Sequence, residues 1–213
     1  MMRKVALCSA VLFVLSVVGC AKPPEMELNA AKQAVDAAKQ SEAEKYAPET
    51  LKAAQDSLDA ATSETERQNG RIFFLRNYDK AKASALAASQ VAAKAKEDAI
   101  AEKARRKQEA ETAVAAAQTA IDSAKVALEH APTGKGSEVD INQMKADVAA
   151  AETQLGEAKT AVTSEDFDGA KSKATAVKST ADRVSGDVNA AAEKVAALKA
   201  AKKGGKKMMM KKM

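Results

Sequence analysis

The sequence predicts an all-α protein: an elongated antiparallel helical bundle or coiled coil, built as two related three-helix units that share one long helix. Three observations predict it. About a quarter of the 213 residues are alanine, tryptophan is absent, aromatics are 3% and charged residues 30%, a composition of long helices. Apolar residues recur at three- and four-residue spacing along most of the chain, and no strand-like run is present. The segments also echo one another in order. Ala34-Val35-Asp36-Ala37-Ala38-Lys39 is echoed by Ala120-Ile121-Asp122-Ser123-Ala124-Lys125. Tyr46-Ala47-Pro48 is echoed by His130-Ala131-Pro132, and Asn77-Tyr78-Asp79-Lys80-Ala81-Lys82 by Asp166-Phe167-Asp168-Gly169-Ala170-Lys171. The spacings drift by several residues, which points to an ancestral duplication and not to a strict solenoid.

Residues 1–19 are a processing segment and stand outside the fold. Arg3 and Lys4 precede an uncharged, mostly apolar stretch from Val5 to Val18, shorter than the roughly 20 apolar residues of a spanning helix. Its end, Val17-Val18-Gly19-Cys20, resembles the lipobox of bacterial lipoprotein signals: an aliphatic residue, a small or aliphatic residue, a small residue, then cysteine. The resemblance implies diacylglycerol on the Cys20 thiol, cleavage just before it, and a membrane anchor of three acyl chains. One chain holds a protein only marginally, at about 0.8 kcal/mol per buried CH₂, whereas two or more hold it stably. Ala21 follows where enteric bacteria use Asp to retain a lipoprotein in the inner membrane, which implies the outer membrane and a periplasmic location.

Cysteine and charge then exclude several function classes. Cys8 leaves with the signal and Cys20 is consumed by lipid, so the mature chain keeps no thiol for a disulfide, a metal or nucleophilic attack. The formal charge of +5 counts Arg3, Lys4 and six lysines from Lys202 to Lys212; without them the body carries −3. A basic face for nucleic acid is therefore missing from the folded region, and no nucleic-acid partner is expected.

The lipidated cysteine and a proline-stiffened linker occupy 20–24, and helical unit 1 occupies 25–100. Leu28, Ala31, Val35 and Ala38 mark a first amphipathic helix, and Leu51, Ala54, Leu58 and Ala61 a second. Between them, Pro48 suits a first helical position and Glu49 complements the positive end of the helix dipole. A polar stretch from Thr62 to Gly70 breaks the pattern. Asn77-Tyr78-Asp79 opens a segment without Gly or Pro until Pro132. A helix from Tyr78 to Leu128 would span roughly 75 Å at about 1.5 Å per residue. Its seam starts Tyr78, Ala81, Ala85, Ala88, Ala92, Ala95, Ala99, which allows close helix approach but buries little area.

Residues 101–112 are read as a charged, exposed bridge, because Lys103 and Arg106 fall on the seam. Unit 2 spans 113–200, and the stripe returns at Val114, Ala117, Ile121, Ala124 and Leu128. Ser137-Glu138-Val139-Asp140 has capping-box spacing, with Asp in place of Glu or Gln. Ile141, Met144, Val148, Ala151, Leu155, Ala158 and Val162 keep heptad spacing. After Ser164-Glu165-Asp166-Phe167 the stripe resumes at Ala170 and runs through Ala174, Val177, Ala181, Val184, Val188, Ala191 and Val195 to Leu198.

Together, the lipobox, the first Ala-rich helix, Tyr46-Ala47-Pro48-Glu49 with Leu51 and Ala54, and the aromatic-Asp-x-Ala helix start at Tyr78 to Ala81 resemble a family of uncharacterised bacterial envelope lipoproteins, a domain of unknown function. The resemblance covers roughly residues 21 to 100, and faintly the second unit. It implies a helical periplasmic domain and carries over no catalytic residue. His130, standing where unit 1 has Tyr46, departs from the pattern.

No Gly-x-Ser-x-Gly, His-Glu-x-x-His or phosphate loop is present, and no enzyme activity, metal or cofactor is expected. His130 is the only histidine and reads as a helix-terminal surface residue. Glu165, Asp166 and Asp168 sit where a first helical turn wants negative charge and lack the alternating ligands of a calcium loop. Glycines and like charges make the tail 201–213 disordered by expectation. Three readings of its chemistry compete. Lys202, Lys203, Lys206, Lys207, Lys211 and Lys212 can be merely solvated, or can touch peptidoglycan or anionic lipid. A Cu(I) thioether site at Met208, Met209 and Met210 is the weakest reading, because the lysines repel a cation.

The expected function is a structural, spacer or scaffold lipoprotein of the cell envelope. The alternative is a helical binding module for a periplasmic protein partner or for self-association. Large exposed apolar residues on a second face would favour the alternative. Phe73, Phe74 and Leu75 are the candidates for such a patch, with packing beneath their loop the expected arrangement.

Overall fold

The computed structural model of the protein describes residues 22–132 and 138–210, the side chains of 138–140 and 202–210 excepted. Its regular elements are α1 (Glu25–Gln40), α2 (Ala43–Tyr46), α3 (Pro48–Asn69), a 3₁₀ turn (Phe73–Leu75), α4 (Asp79–Glu129), α5 (Glu138–Thr163) and α6 (Phe167–Met210). The chain is all-α, and no strand occurs among the described residues. It divides into two compact units, 1–103 and 104–213, with the division inside the stretch read from sequence as a charged bridge.

Unit 1 packs α1, α3 and the first half of α4 through small side chains. Ala31, Ala61, Ala85 and Ala88 form one buried cluster, and Val35, Ala38, Leu51, Ala54, Ala92 and Ala95 belong to the next. These pairings run α1 and α3 antiparallel. Every residue of the expected α4 seam from Tyr78 to Ala99 is buried. The link between α1 and α3 is shaped by Glu42, whose φ of 58° is left-handed. Pro48 takes the first position of α3, as its fixed φ and missing N–H favour.

The polar stretch from Thr62 to Gly70 does not break the second helix, because α3 continues to Asn69. Glu64, Thr65 and Gln68 are buried in place of apolar residues. Their polar atoms are satisfied locally: Thr65 Oγ1 donates to the Ala61 carbonyl at 2.8 Å, and Gln68 Nε2 to Glu64 at 2.7 Å. Glu, Arg and Gln are also good helix formers, so helicity persists where the apolar period stops.

Unit 2 packs the second half of α4 with α5 and α6. Its core joins Ile121, Ala124, Val148, Leu155, Val177 and Val184, among others, and Ile121, Val177 and Val184 are the largest fully buried side chains. A smaller cluster of Ala110, Ala161, Phe167 and Ala170 closes one end. Ala110 thus belongs to a core although it lies within the expected bridge. The turn into α6 is a Schellman arrangement: the Asp166 N–H bonds the Ala161 carbonyl at 2.9 Å and the Glu165 N–H the Val162 carbonyl at 3.2 Å. Glu165 holds the left-handed position, with φ 60°.

Two expectations for α6 change. The apolar stripe read as far as Leu198 outruns the core: Val188 is buried, Val195 half-buried and Leu198 70% exposed. Periodicity alone cannot mark where the neighbouring helices stop. The backbone is also helical to Met210, over most of the span read as disordered. No proline interrupts it, Lys and Met favour helix, and each glycine costs only about 1 kcal/mol. The loop 133–137, with the Ser137 cap, lies outside the described residues.

The sequence echoes have a structural counterpart. At one constant offset, the buried residues Tyr78, Ala81, Ala85, Ala88, Ala92, Ala95 and Ala99 match Phe167, Ala170, Ala174, Val177, Ala181, Val184 and Val188, all buried. Ala31, Val35 and Ala38 likewise match Ala117, Ile121 and Ala124. Unit 2 carries larger side chains at several of these positions, with Val177, Val184 and Val188 where unit 1 has Ala88, Ala95 and Ala99.

Candidate functional site

The residues singled out from sequence fall unevenly. Val17, Val18, Gly19 and Cys20 lie outside the described residues, as do Lys211, Lys212 and the side chains of Lys202, Lys203, Lys206 and Lys207. Lys103 and Arg106 sit in ion pairs, with Glu42 at 2.5 Å and Asp168 at 2.7 Å respectively. Each reaches the first residues beyond a left-handed turn or that turn itself. Asp166 caps α6 by accepting from the Gly169 N–H at 3.1 Å. The acidic cluster is thus engaged in capping and pairing, and no group of three or more His, Cys, Asp or Glu side chains suited to a metal occurs among the described residues. His130 is exposed at the end of α4 while its counterpart Tyr46 is buried. This departure from the repeat reflects a changed environment as well as a changed residue.

The feature that sequence periodicity missed is the end of unit 1 where α3 meets α4. Glu64 and Gln68 anchor it. Arg67 donates to the Glu64 carboxylate through Nε at 2.9 Å and Nη2 at 2.7 Å. The Gln68 hydrogen bond and the Arg67 guanidinium hold the Glu64 carboxyl below its usual range. Gln68 Oε1 accepts from the Asn77 N–H at 3.2 Å, and Tyr78 donates its hydroxyl to Asn69 Oδ1 at 2.5 Å. The Arg76 guanidinium closes the base of the loop, donating to the carbonyls of Arg71 at 3.0 Å and Asn69 at 2.9 Å.

A rigid base therefore presents a bare apolar tip. Ile72, Phe73, Phe74 and Leu75 are 60%, 66%, 58% and 57% exposed, and the two phenyl rings stack edge to face at 5.3 Å. They do not pack beneath the loop, contrary to the expectation from sequence. Arg76, Gln68 and Tyr78 hold the base of the turn from which these side chains project.

Unit 2 offers a concavity of about 470 Å³, lined by Leu128, Ala131, Ile141, Lys145, Val148 and Glu152, among others. Lys125 and Glu152 pair beside it. It has an apolar floor and a charged rim. No described helix is long and apolar enough to cross a membrane.

No protein-family model, curated protein or solved structure matches the chain.

Proposed function

We infer that the protein is a lipid-anchored helical lipoprotein of the bacterial cell envelope, facing the periplasm from the outer membrane, with a structural spacer or scaffold role and no catalytic activity. The observation that carries this reading is Val17-Val18-Gly19-Cys20 at the end of an apolar segment preceded by Arg3 and Lys4. It is supported by the all-α body and by exposed ion pairs such as Lys52–Asp56 and Lys94–Asp98 on the helix surfaces. The resemblance to uncharacterised envelope lipoproteins points the same way. The lysines from Lys202 to Lys212 supply a basic segment for peptidoglycan or anionic lipid.

A second reading, a binding module for a periplasmic partner or for a second copy, is favoured by the exposure of Phe73, Phe74 and Leu75, the patch the sequence offered for it, and by a further pair on α4. Leu86 and Ile100 are exposed and stand two heptads apart on α4, outside the buried seam.

The test is fractionation of native cells with intact-mass analysis, comparing the native chain, Cys20→Ser, and a chain truncated after Ala201, each after mild crosslinking. The spacer reading expects acylated Cys20, release of Cys20→Ser from the membrane, and recovery of peptidoglycan or anionic lipid with the intact chain only. Recovery of one stoichiometric protein by both intact and truncated chains would establish the binding module instead.

A further inference from the structure

We propose that the Ile72–Leu75 turn is a membrane-contact site that inserts into the headgroup region of an anionic bilayer. The proposal rests on the reading of Cys20 as a lipid anchor, and three features of unit 1 carry it.

The first is chemistry. Four consecutive large apolar side chains, more than half exposed, form the tip of a short turn, and a contiguous patch of this kind marks an interaction surface. Aromatic side chains are favoured where one side is apolar and the other wet. No described helix is suited to span a membrane, so the contact is peripheral.

The second is charge. Arg71 and Arg76 flank the tip, and their guanidinium groups bond Gln68 Oε1 and main-chain carbonyls. Among the described residues no carboxylate pairs with either arginine, so their charge is not offset beside the apolar knob. Cationic side chains at the edge of an inserted apolar tip suit lipid phosphates. The same hydrogen bonds fix the turn before it meets a surface, which lowers the ordering cost of contact.

The third is position. Lys82 at the start of α4 pairs with Glu27 at the start of α1 at 2.8 Å, and Leu28 and Ala31 pack with Ala61 and Ala85. The first turn of α1 therefore lies at the end of unit 1 that carries the Ile72–Leu75 turn. Met26, in that first turn, is 84% exposed. From Cys20 to Glu25 the chain can extend at most about 18 Å. Acyl chains on Cys20 thus hold this end of the unit, and no other, against the bilayer. A protein partner would require no such coincidence with the chain's anchored end.

The chain has no tryptophan, so F73W in the full chain gives a single-site probe. The protein is purified from the membrane fraction, checked by intact mass for acyl groups on Cys20, and reconstituted into phosphatidylethanolamine and phosphatidylglycerol vesicles with or without brominated acyl chains. The expected result is a blue-shifted indole emission quenched by the brominated lipid. Adding Phe74→Ser and Leu75→Ser should reduce the quenching severalfold, with helical circular dichroism retained. A water-like, unquenched emission in chain that is vesicle-bound through acylated Cys20 would overturn the proposal, as would shielding of the indole only by a co-purified protein. If Cys20 proves unmodified, the anchor reading fails separately, and the same vesicles are added to the soluble chain. Quenching there upholds the turn as a lipid contact, and its absence overturns it.

Discussion

The Lys82 ammonium lies 2.8 Å from the Glu27 carboxylate and ties the first turn of α4 to the first turn of α1. Each group shifts the other: the Lys82 hydrogen bond lowers the Glu27 carboxyl below its ordinary 4.5, and the Glu27 hydrogen bond raises Lys82 above its ordinary 10.5. A lowered carboxyl contributes stability that is complete above the unfolded value and is lost as pH falls through the folded one. A raised ammonium contributes below its unfolded value and loses that contribution as pH rises through the folded one. The pair therefore acts fully between 4.5 and 10.5. Melting curves of the native chain and Glu27→Gln should differ at neutral pH and converge when pH drops well below 4.5. A difference that persists undiminished in acid would exclude this pair as its source.

The matched positions Ala88 and Val177, both fully buried, make opposite predictions. Val177→Ala should leave a cavity in unit 2 and cost about 2 kcal/mol. Ala88→Val forces two added carbons into a seam of alanines and should cost about 1–3 kcal/mol in unit 1. Amide hydrogen exchange locates each effect, since protection should fall in α6 for the first variant and in α1 and α3 for the second. Harmless Ala88→Val would mean that the unit 1 helices are not closely apposed there.

Gly169 stands under the cap of α6. A Cβ at that residue would come within 2.1 Å of Asp166 Oδ2, while Asp166 Oδ1 accepts the Gly169 N–H. Gly169→Ala should thus gain about 0.5–1 kcal/mol of helix preference and lose about 1 kcal/mol of capping, leaving stability nearly unchanged. In an Asp166→Ala background the same change should stabilise by about 0.5–1 kcal/mol. Denaturant midpoints of the four chains give the coupling directly, and strict additivity would argue against the steric clash.

Much of the fold was legible in the amino-acid order because helix burial follows a period that side-chain size alone can write. Leu28 to Ala38, Leu51 to Ala61, Tyr78 to Ala99 and Ala170 to Val188 are apolar at that period and lie in the cores, Leu28 and Leu58 at their edges. Pro48, Asp166 and the break after Ser164 act locally, through backbone geometry, and were also readable. Val17-Val18-Gly19-Cys20 is legible in sequence alone, and the lipid anchor proposed there is a covalent modification that needs no fold to be read.

Tertiary structure decided what depends on neighbours. Glu64, Thr65 and Gln68 continue α3 where polarity suggested a break, because their partners come from α3 itself and from Asn77 beyond the turn. Val188 is buried and Leu198 exposed on one continuous stripe, since a stripe buries only where another helix faces it. The same reason governs the candidate site. Ile72, Phe73, Phe74 and Leu75 are as apolar as any core segment, and the tertiary structure leaves them exposed on a turn whose base is closed by Arg76, Gln68 and Tyr78. Only the packing of α1 beside α4, through Glu27 and Lys82, sets that tip at the end of unit 1 where α1 begins.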